Sequence, residues 1–254
     1  MAITIKSERE IELMAEAGKI LERVHNELEK ALHPGMSTKD IDTLGEKIIR
    51  SYGCIPSFLN YNGYPASICV SVNQEVVHGI PDKHRIIHEG DIVSLDAGVI
   101  YKGYHSDAAR THAVGEVSEE AKKLIQVTKE CFFEGIKYAK AGNHLFDISG
   151  AIGRYAEERG YGVVRDLCGH GIGTALHEAP KIPNYEVGRK GVKLRPGMTL
   201  AIEPMINIGT YEVDWLDDDW TVVTRDGSLS AHYENTILIT EGEPRILSLT
   251  CDNE

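Results

Sequence analysis

The chain has 254 residues, of which 42% are hydrophobic and 26% are charged, and its formal net charge is −12 at pH 7. This composition is typical of a globular protein and argues against disorder. The acidic balance argues against a protein that wraps nucleic acid or an anionic membrane, because both tasks need an excess of Lys and Arg.

The sequence indicates neither a membrane anchor nor a disulfide framework. It has no run of about 18 apolar residues, and no basic segment followed by an apolar one as in a secretory signal. The five cysteines are odd in number and none are spaced as CxxC. We therefore expect reduced thiols, a cytoplasmic location, and no DNA or membrane partner.

Two helices are predicted first. Ser7 and Glu10 have the capping-box spacing, and apolar residues then recur every three or four positions as far as the helix stop at 33–35. A second helix is predicted over about 37–53. Short β-branched segments, separated by Gly and Pro, then predict strands over 54–115.

The same order of elements then repeats. Helices are predicted over 118–142 and 145–160, and strands follow them. A shift of 107 residues matches Gly35 with Gly142, Asp40 with Asp147, Ile41 with Ile148, Gly53 with Gly160, Gly90 with Gly197, and Asp96 with Glu203. We predict one domain, residues 1–254, made of duplicated halves of about 1–115 and 116–254, with the functional site where the halves meet.

Two acidic residues follow apolar strands, where a charged side chain is expected to be buried at a cost in free energy. Asp96 and Glu203 each follow a short apolar strand, and a buried carboxylate needs a compensating cation. Between Asp96 and Asp107 a hairpin is predicted to turn at Lys102–Gly103, which would place the two acids opposite each other. The cation between them is either a metal ion or a buried Arg.

The second half adds further candidate ligands. His170 lies among glycines, and Glu234 lies in a segment whose alternation predicts a strand. Four carboxylates and one imidazole are too anionic a set for one divalent ion, but they suit two bridged ions, as in co-catalytic hydrolases. Oxygen ligands with a single His favour Mn²⁺, Fe²⁺ or Co²⁺, whereas structural zinc prefers thiolates; zinc stays possible.

Two more histidines lie in turn-like contexts. His78 precedes Gly-Ile-Pro and His177 precedes Glu-Ala-Pro. Such residues are either structural or donors to an oxyanion and a leaving amine. The remaining histidines are interpreted as surface or structural residues: His25, His33, His84, His88, His105, His112, His144 and His232.

These motifs resemble those of the type I methionine aminopeptidases of peptidase family M24, in their minimal bacterial form. The blocks that carry the resemblance are 77–81, Asp96 with Asp107, 169–173 continuing to 176–178, 200–205, and the strand with Glu234. They occur in the family's order through nearly the whole chain. The resemblance implies the α+β pita-bread fold, in which duplicated ααβ halves with pseudo-twofold symmetry surround a central antiparallel sheet.

The resemblance also implies a catalytic centre. Its metal ligands would be Asp96, Asp107, His170, Glu203 and Glu234. Asp107 and Glu234 would bridge two ions, and a metal-bound hydroxide would attack the carbonyl of an N-terminal methionine that precedes a small residue. Glu203 would help to move the proton. His177 would stabilise the oxyanion, and His78 would contact the substrate amide or the leaving nitrogen.

A methionine pocket follows from the same resemblance. Its predicted residues are Phe58, Tyr61, Tyr64, Cys69, Leu176 and Trp220. A thioether packs well against ring edges, although such a set is also ordinary for a core. Tyr233 and Asn235, beside Glu234, differ from the residues most common at these positions in the family, but neither difference removes a ligand.

Two alternative functions remain open at this point. One is another pita-bread hydrolase, such as a prolidase, aminopeptidase P or creatinase; these usually carry an additional N-terminal domain, whereas the first helix here begins near Ser7. The other is a non-catalytic binding module on the same scaffold, which loss of ligands would indicate. As partners we expect the N-termini of newly made polypeptides. A ribosome contact stays open, and a site within one chain favours a monomer.

Overall fold

The computed structural model describes residues 3–249. Its four α-helices are α1 (Glu8–Ala31), α2 (Thr38–Ser51), α3 (Glu119–Ile136) and α4 (Leu145–Glu157). Ser7 and Glu10 form the predicted capping box at the start of α1. The third helix ends earlier than predicted, because 137–144 forms turns in which Gly142 has a φ of 93° and the chain doubles back into α4.

Fifteen strands are found among the described residues, and every pairing between them is antiparallel. In the first half they are β1 (Ile55–Pro56), β2 (Ile68–Val72), β3 (Glu75–Val77), β4 (Ile92–Tyr101) and β5 (Tyr104–Ala113). In the second half they are β6 (Gly162–Val163), β7 (Gly169–Gly171), β8 (Glu178–Ile182), β9 (Thr199–Ile202), β10 (Met205–Asn207), β11 (Val213–Trp215), β12 (Val222–Thr224), β13 (Ser230–His232), β14 (Asn235–Leu238) and β15 (Arg245–Ile246).

Two larger sheets form the centre of the molecule. In one, β4 pairs with β5 on one side and with β1 and β2 on the other. The second has the order β15-β14-β9-β7-β8. Two three-stranded sheets, β13-β10-β6 and β11-β12-β3, complete the fold.

The helices cover the sheets in matching pairs. Leu21 of α1 and Ile41 of α2 share a buried cluster with the first sheet. Leu124 of α3 and Ile148 of α4 share another with the second sheet. Among residues 3–249, no helix combines the length and the apolar character needed to cross a membrane.

The predicted repeat is visible in the backbone. Two isolated β-bridges, Ser37–Ile86 and His144–Lys193, are related by the same 107-residue shift. Three matched glycine pairs have similar positive φ angles: 94° and 93° at Gly35 and Gly142, 72° and 83° at Gly53 and Gly160, and 95° and 86° at Gly90 and Gly197. Glycine adopts these angles without steric cost, so both halves make the same turns at the same positions.

The halves meet along β5. Ala109 and Glu234 donate backbone N–H groups to each other's carbonyls, at 3.4 and 3.0 Å. The Thr236 hydroxyl accepts from the Asp107 N–H at 2.9 Å and donates to the Asp107 carbonyl at 3.0 Å. The seam between the halves therefore carries two of the acids that the sequence singled out.

Candidate metal centre

A cavity of 150 Å³ opens at this seam. It is lined by Phe58, Tyr61, Asn62, Tyr64, Cys69, His78, Asp96, Asp107, His170, Leu176, His177, Glu203, Trp220 and Glu234. All thirteen residues named in the sequence analysis as ligands, donors or pocket residues are in this set. Asn62 is the lining residue that sequence reasoning missed, since nothing in its 3₁₀ turn, Tyr61–Gly63, signals a site.

The β4–β5 hairpin sets the relation between the first two acids. It turns at Lys102–Gly103, as predicted, with positive φ at both residues. Asp107 lies opposite Gly98, and Asp96 opposite Ala109. The prediction that the acids face each other directly is therefore wrong. The two-residue turn fixes a register in which they are diagonal neighbours on one face of the sheet.

His170 faces the acids with a lone pair. Its Nδ1 lies 2.8 Å from the Gly171 carbonyl, which only accepts, so Nδ1 carries the proton. Nε2 lies 3.6 Å from Glu203 Oε1 and 3.9 Å from Asp107 Oδ2. An acceptor nitrogen beside two carboxylate oxygens needs a cation between them. The hydrogen bond from Nδ1 to a backbone carbonyl is of the kind that orients a metal-binding imidazole.

The four carboxylates are an unfavourable set without a cation. Burial, with the neighbouring acids, raises the pKa of Asp96, Glu203 and Glu234 well above the ordinary values. Burial raises the pKa of Asp107 to about 7. The raised pKa values mean that the charged forms of these carboxyl groups are disfavoured at the seam unless a cation compensates them.

No buried arginine forms an ion pair with these acids among the described residues, although the charge of Arg110 opposes the rise in the pKa of Glu234. Among residues 3–249, no Lys or Arg forms an ion pair with these four acids. Arg110 is the nearest candidate, but its guanidinium donates to the backbone carbonyls of Ala109 and Glu234 and to Asn235 Oδ1. It also lies over the Tyr233 ring, at 4.5 Å. Tyr233 and Asn235, which differ from the residues most common at these positions in the family, thus hold Arg110 outside the cavity.

The donor set fits divalent ions that prefer oxygen. Asp96 Oδ1, Asp107 Oδ1 and Glu234 Oε1 are buried and have no hydrogen-bond partner. One ligand atom each from Asp107, His170 and Glu234 lie within 4.8 Å of one another. Carboxylates with an imidazole suit Mn²⁺, Fe²⁺ and Co²⁺, so the residues present match the metal site that the sequence indicated.

Two further histidines, His78 and His177, line the cavity. His78 has a φ of 59°, an unusual conformation for a residue with a side chain. Burial lowers its pKa to about 4, so it is neutral near pH 7. His177 lies at the exposed mouth, with its ring 4.2 Å from that of His170 and its Nδ1 2.8 Å from the Tyr61 hydroxyl.

An apolar wall adjoins the carboxylates. Phe58, Tyr64, Cys69 and Leu176 are buried there. The Tyr64 and Trp220 rings meet edge to face at 5.1 Å. The wall therefore consists of aromatic rings, one leucine and one sulfur atom, in the same cavity as the carboxylates.

One histidine near the acids was missed. His232 was interpreted as surface or structural, but it is buried, with Nε2 3.9 Å from both Glu203 Oε2 and Glu234 Oε2. The signal was its position two residues before Glu234. The strand predicted through Glu234 is interrupted, because β13 ends at His232 and β14 begins at Asn235. Of the predicted reduced cysteines, Cys54, Cys69, Cys131 and Cys168 are free, and Cys251 lies outside the described residues.

Comparison with known proteins identifies the family. The model of metallopeptidase family M24 matches residues 12–241. A methionine aminopeptidase of Clostridium acetobutylicum is 58% identical over 97% of this chain and 99% of its own length. The solved methionine aminopeptidase of Thermotoga maritima has a TM-score of 0.96 at 47% identity, covering 98% of this chain and 100% of that one.

A more distant structure shares the fold. The Xaa-Pro dipeptidase of Bacillus anthracis has a TM-score of 0.77 at 27% identity, with 98% of this chain and 63% of that one covered. These neighbours confirm the predicted α+β pita-bread architecture. The chain belongs to metallopeptidase family M24, among its methionine aminopeptidases.

Proposed function

We propose that this chain, a methionine aminopeptidase, uses this cavity to remove the N-terminal methionine from polypeptides whose second residue is small. The observation that carries the proposal is one juxtaposition. Four carboxylates and one imidazole without a cationic partner lie in the same cavity as an apolar, aromatic and sulfur-containing wall. An ionic centre beside a pocket of this kind suits hydrolysis next to a methionine side chain.

Asp96, Asp107, His170, Glu203 and Glu234 would hold two divalent ions. Asp107 and Glu234 would be shared, which their close approach to each other and to His170 supports. Mn²⁺, Fe²⁺ or Co²⁺ matches these donors better than zinc does. When bound, the ions would polarise the scissile carbonyl and lower the pKa of a coordinated water towards neutrality.

The chain's own groups would handle charge and protons. If the Tyr61 hydroxyl donates to His177 Nδ1, the ring proton stays on Nε2, and His177 is a donor for the oxyanion. His78, neutral near pH 7, would contact the substrate amide or the leaving nitrogen. Glu203, whose side chain is 14% exposed, would accept a proton and return it to the leaving amine.

The apolar wall would select methionine. The thioether would pack among Phe58, Tyr61, Tyr64, Cys69, Leu176 and Trp220. The Tyr64 hydroxyl donates to the Gly79 carbonyl at 2.9 Å, which ties the wall to the turn that carries His78. The same side chain thus shapes the pocket and supports a donor.

We further propose that one chain forms the whole site. Its lining residues come from both halves of the single domain, about 1–115 and 116–254. A monomer would therefore be active, and a separated half would lack ligands.

The test is turnover of a peptide panel after metal removal and addition of Mn²⁺, Fe²⁺ or Co²⁺. We expect metal-dependent release of Met from Met-Ala-Ser, and little from Leu-Ala-Ser or Met-Lys-Ser. Asp107→Asn should abolish it, and Asp217→Asn, the same change at an exposed position, should not. Cleavage of Ala-Pro alone would favour a proline-directed hydrolase, and bound metal without any cleavage would favour a binding module.

A further inference from the structure

His232 is a buried histidine that the proposed mechanism does not use. It ends β13 and is 2% exposed. Neither Nδ1 nor Nε2 has a hydrogen-bond partner. A buried imidazole with two unsatisfied nitrogens is costly, so its retention beside the acids needs an explanation.

Backbone hydrogen bonds on both edges of β13 fix the position of His232. The His232 N–H donates to the Thr111 hydroxyl, which donates to the His232 carbonyl, both at 2.9 Å. On its other edge, β13 pairs His232 with Met205. Thr111 lies on the strand of Asp107, and Met205 follows Glu203 by two residues. The position of the ring is thus tied to the strands that carry the ligands.

The Glu203 carboxylate lies between two imidazoles. Its Oε1 is 3.6 Å from His170 Nε2, and its Oε2 is 3.9 Å from His232 Nε2. One oxygen therefore faces the ligand set and the other faces His232. Glu234 Oε2 lies at the same 3.9 Å distance from His232 Nε2.

The chemistry of these atoms fixes the proton of the ring. Carboxylate oxygens accept, so a neutral imidazole that faces two of them carries its N–H on Nε2. Among residues 3–249, no side chain donates a hydrogen bond to either carboxylate, since Asn184 and Arg110 reach only the backbone carbonyls of Glu203 and Glu234. His232 also borders a separate cavity of 370 Å³.

We propose that His232 is a positioning residue, whose Nε2–H holds the outer carboxylate oxygens of Glu203 and Glu234 and so orients both side chains towards the metal ions. The inference rests on the proposed metal centre. An approach of roughly 1 Å brings either pair to hydrogen-bond distance. Partners behind metal ligands typically contribute about 10–100-fold in metal affinity.

The test compares His232→Leu with His232→Gln. Leu removes the donor and keeps an apolar side chain, and Gln offers an N–H group. Calorimetric titration of the metal-free proteins with Mn²⁺ should show about 10–100-fold weaker binding for the Leu variant and recovery of most of the affinity with Gln. Visible absorption of the Co²⁺-loaded proteins should change with Leu and return with Gln.

The matched control is His112→Leu. His112 also borders the 370 Å³ cavity, but its Nδ1 faces Glu29, at 3.7 Å, rather than a ligand. It should bind Mn²⁺ like the wild type, and thermal melts of the metal-free proteins would show that each variant folds.

Two results would overturn the inference alone: wild-type affinity in His232→Leu, or affinity in His232→Gln as weak as in the Leu variant. Failure of the wild type itself to bind Mn²⁺ more tightly than Asp107→Asn would overturn the proposed metal centre, and the inference with it.

Discussion

His78 lines the cavity from a strained backbone conformation. Its φ of 59° lies in the left-handed region, which is strained for most side chains. The next residue explains why the turn is tight, because a Cβ on Gly79 would lie 2.3 Å from the Val70 carbonyl oxygen. The turn is therefore pressed against β2, and His78 is held where it faces the cavity.

We predict that His78→Asn lowers turnover of Met-Ala-Ser by about 10²–10³-fold without lowering the melting temperature. Asn tolerates the left-handed region better than His does, so the strain is relieved while the imidazole is lost. Thermal melts and initial rates measure both effects, with His88→Asn at an exposed position as the control. Full turnover in His78→Asn would remove His78 from the mechanism.

At the scale of elements, one buried hydrogen bond joins α1 to β5. His25 Nε2 lies 2.8 Å from the Ala108 carbonyl, next to Asp107 in sequence. Burial, followed by the charges of Arg110 and His112, lowers the pKa of His25 well below its ordinary value. The neutral ring is thus part of the contact between the helix and the strand.

This contact should be sensitive to acid. The unfolded chain binds the proton near pH 6.5, and the folded protein only at lower pH. The stability from neutral His25 is therefore complete above pH 6.5 and falls below it, by about 1.4 kcal/mol per pH unit until the folded pKa is reached.

We predict that His25→Gln, which keeps an N–H donor but does not titrate, reduces the loss of unfolding free energy between pH 6.5 and 5. Urea unfolding at pH 5, 6 and 7.5 measures that loss. The exposed variant His33→Gln serves as the control and should keep the wild-type slope. An unchanged slope in His25→Gln would mean that other groups cause the acid sensitivity.

At the scale of the whole molecule, the proposed metal centre lies on the seam between the two halves. Asp96 and Asp107 belong to one half and His170, Glu203 and Glu234 to the other, so ion binding should link the halves. Without ions, the buried acids repel each other across the same seam. Stability and metal occupancy are therefore coupled.

We predict that Mn²⁺ at 100 times its dissociation constant stabilises the wild type by about 2.7 kcal/mol. Metal-free Asp107→Asn should melt above the metal-free wild type at pH 8, because one buried negative charge is gone, and Mn²⁺ should add little to it. Thermal melts with and without Mn²⁺ measure both. A variant that melts below the metal-free wild type would show that repulsion at the seam is not a significant cost.

Local signals in the sequence were sufficient for much of the fold. Capping residues and apolar periodicity predicted four helices, because each depends on neighbours within one or two turns. The 107-residue repeat was readable because glycines mark turns whose φ is positive. The ligand types were readable because a carboxylate after an apolar strand is costly without a cation.

Tertiary structure decided how these pieces meet. The register of the β4–β5 hairpin, with Asp96 and Asp107 as diagonal neighbours, follows from strand pairing rather than residue type. Whether Arg110 or an ion compensates the acids depended on where its guanidinium donates, and that is to backbone carbonyls and Asn235. The approach of His232 to Glu203 joins residues 29 positions apart. Such contacts form only when distant segments pack, so composition and spacing predicted residues that line the cavity, and packing set their geometry.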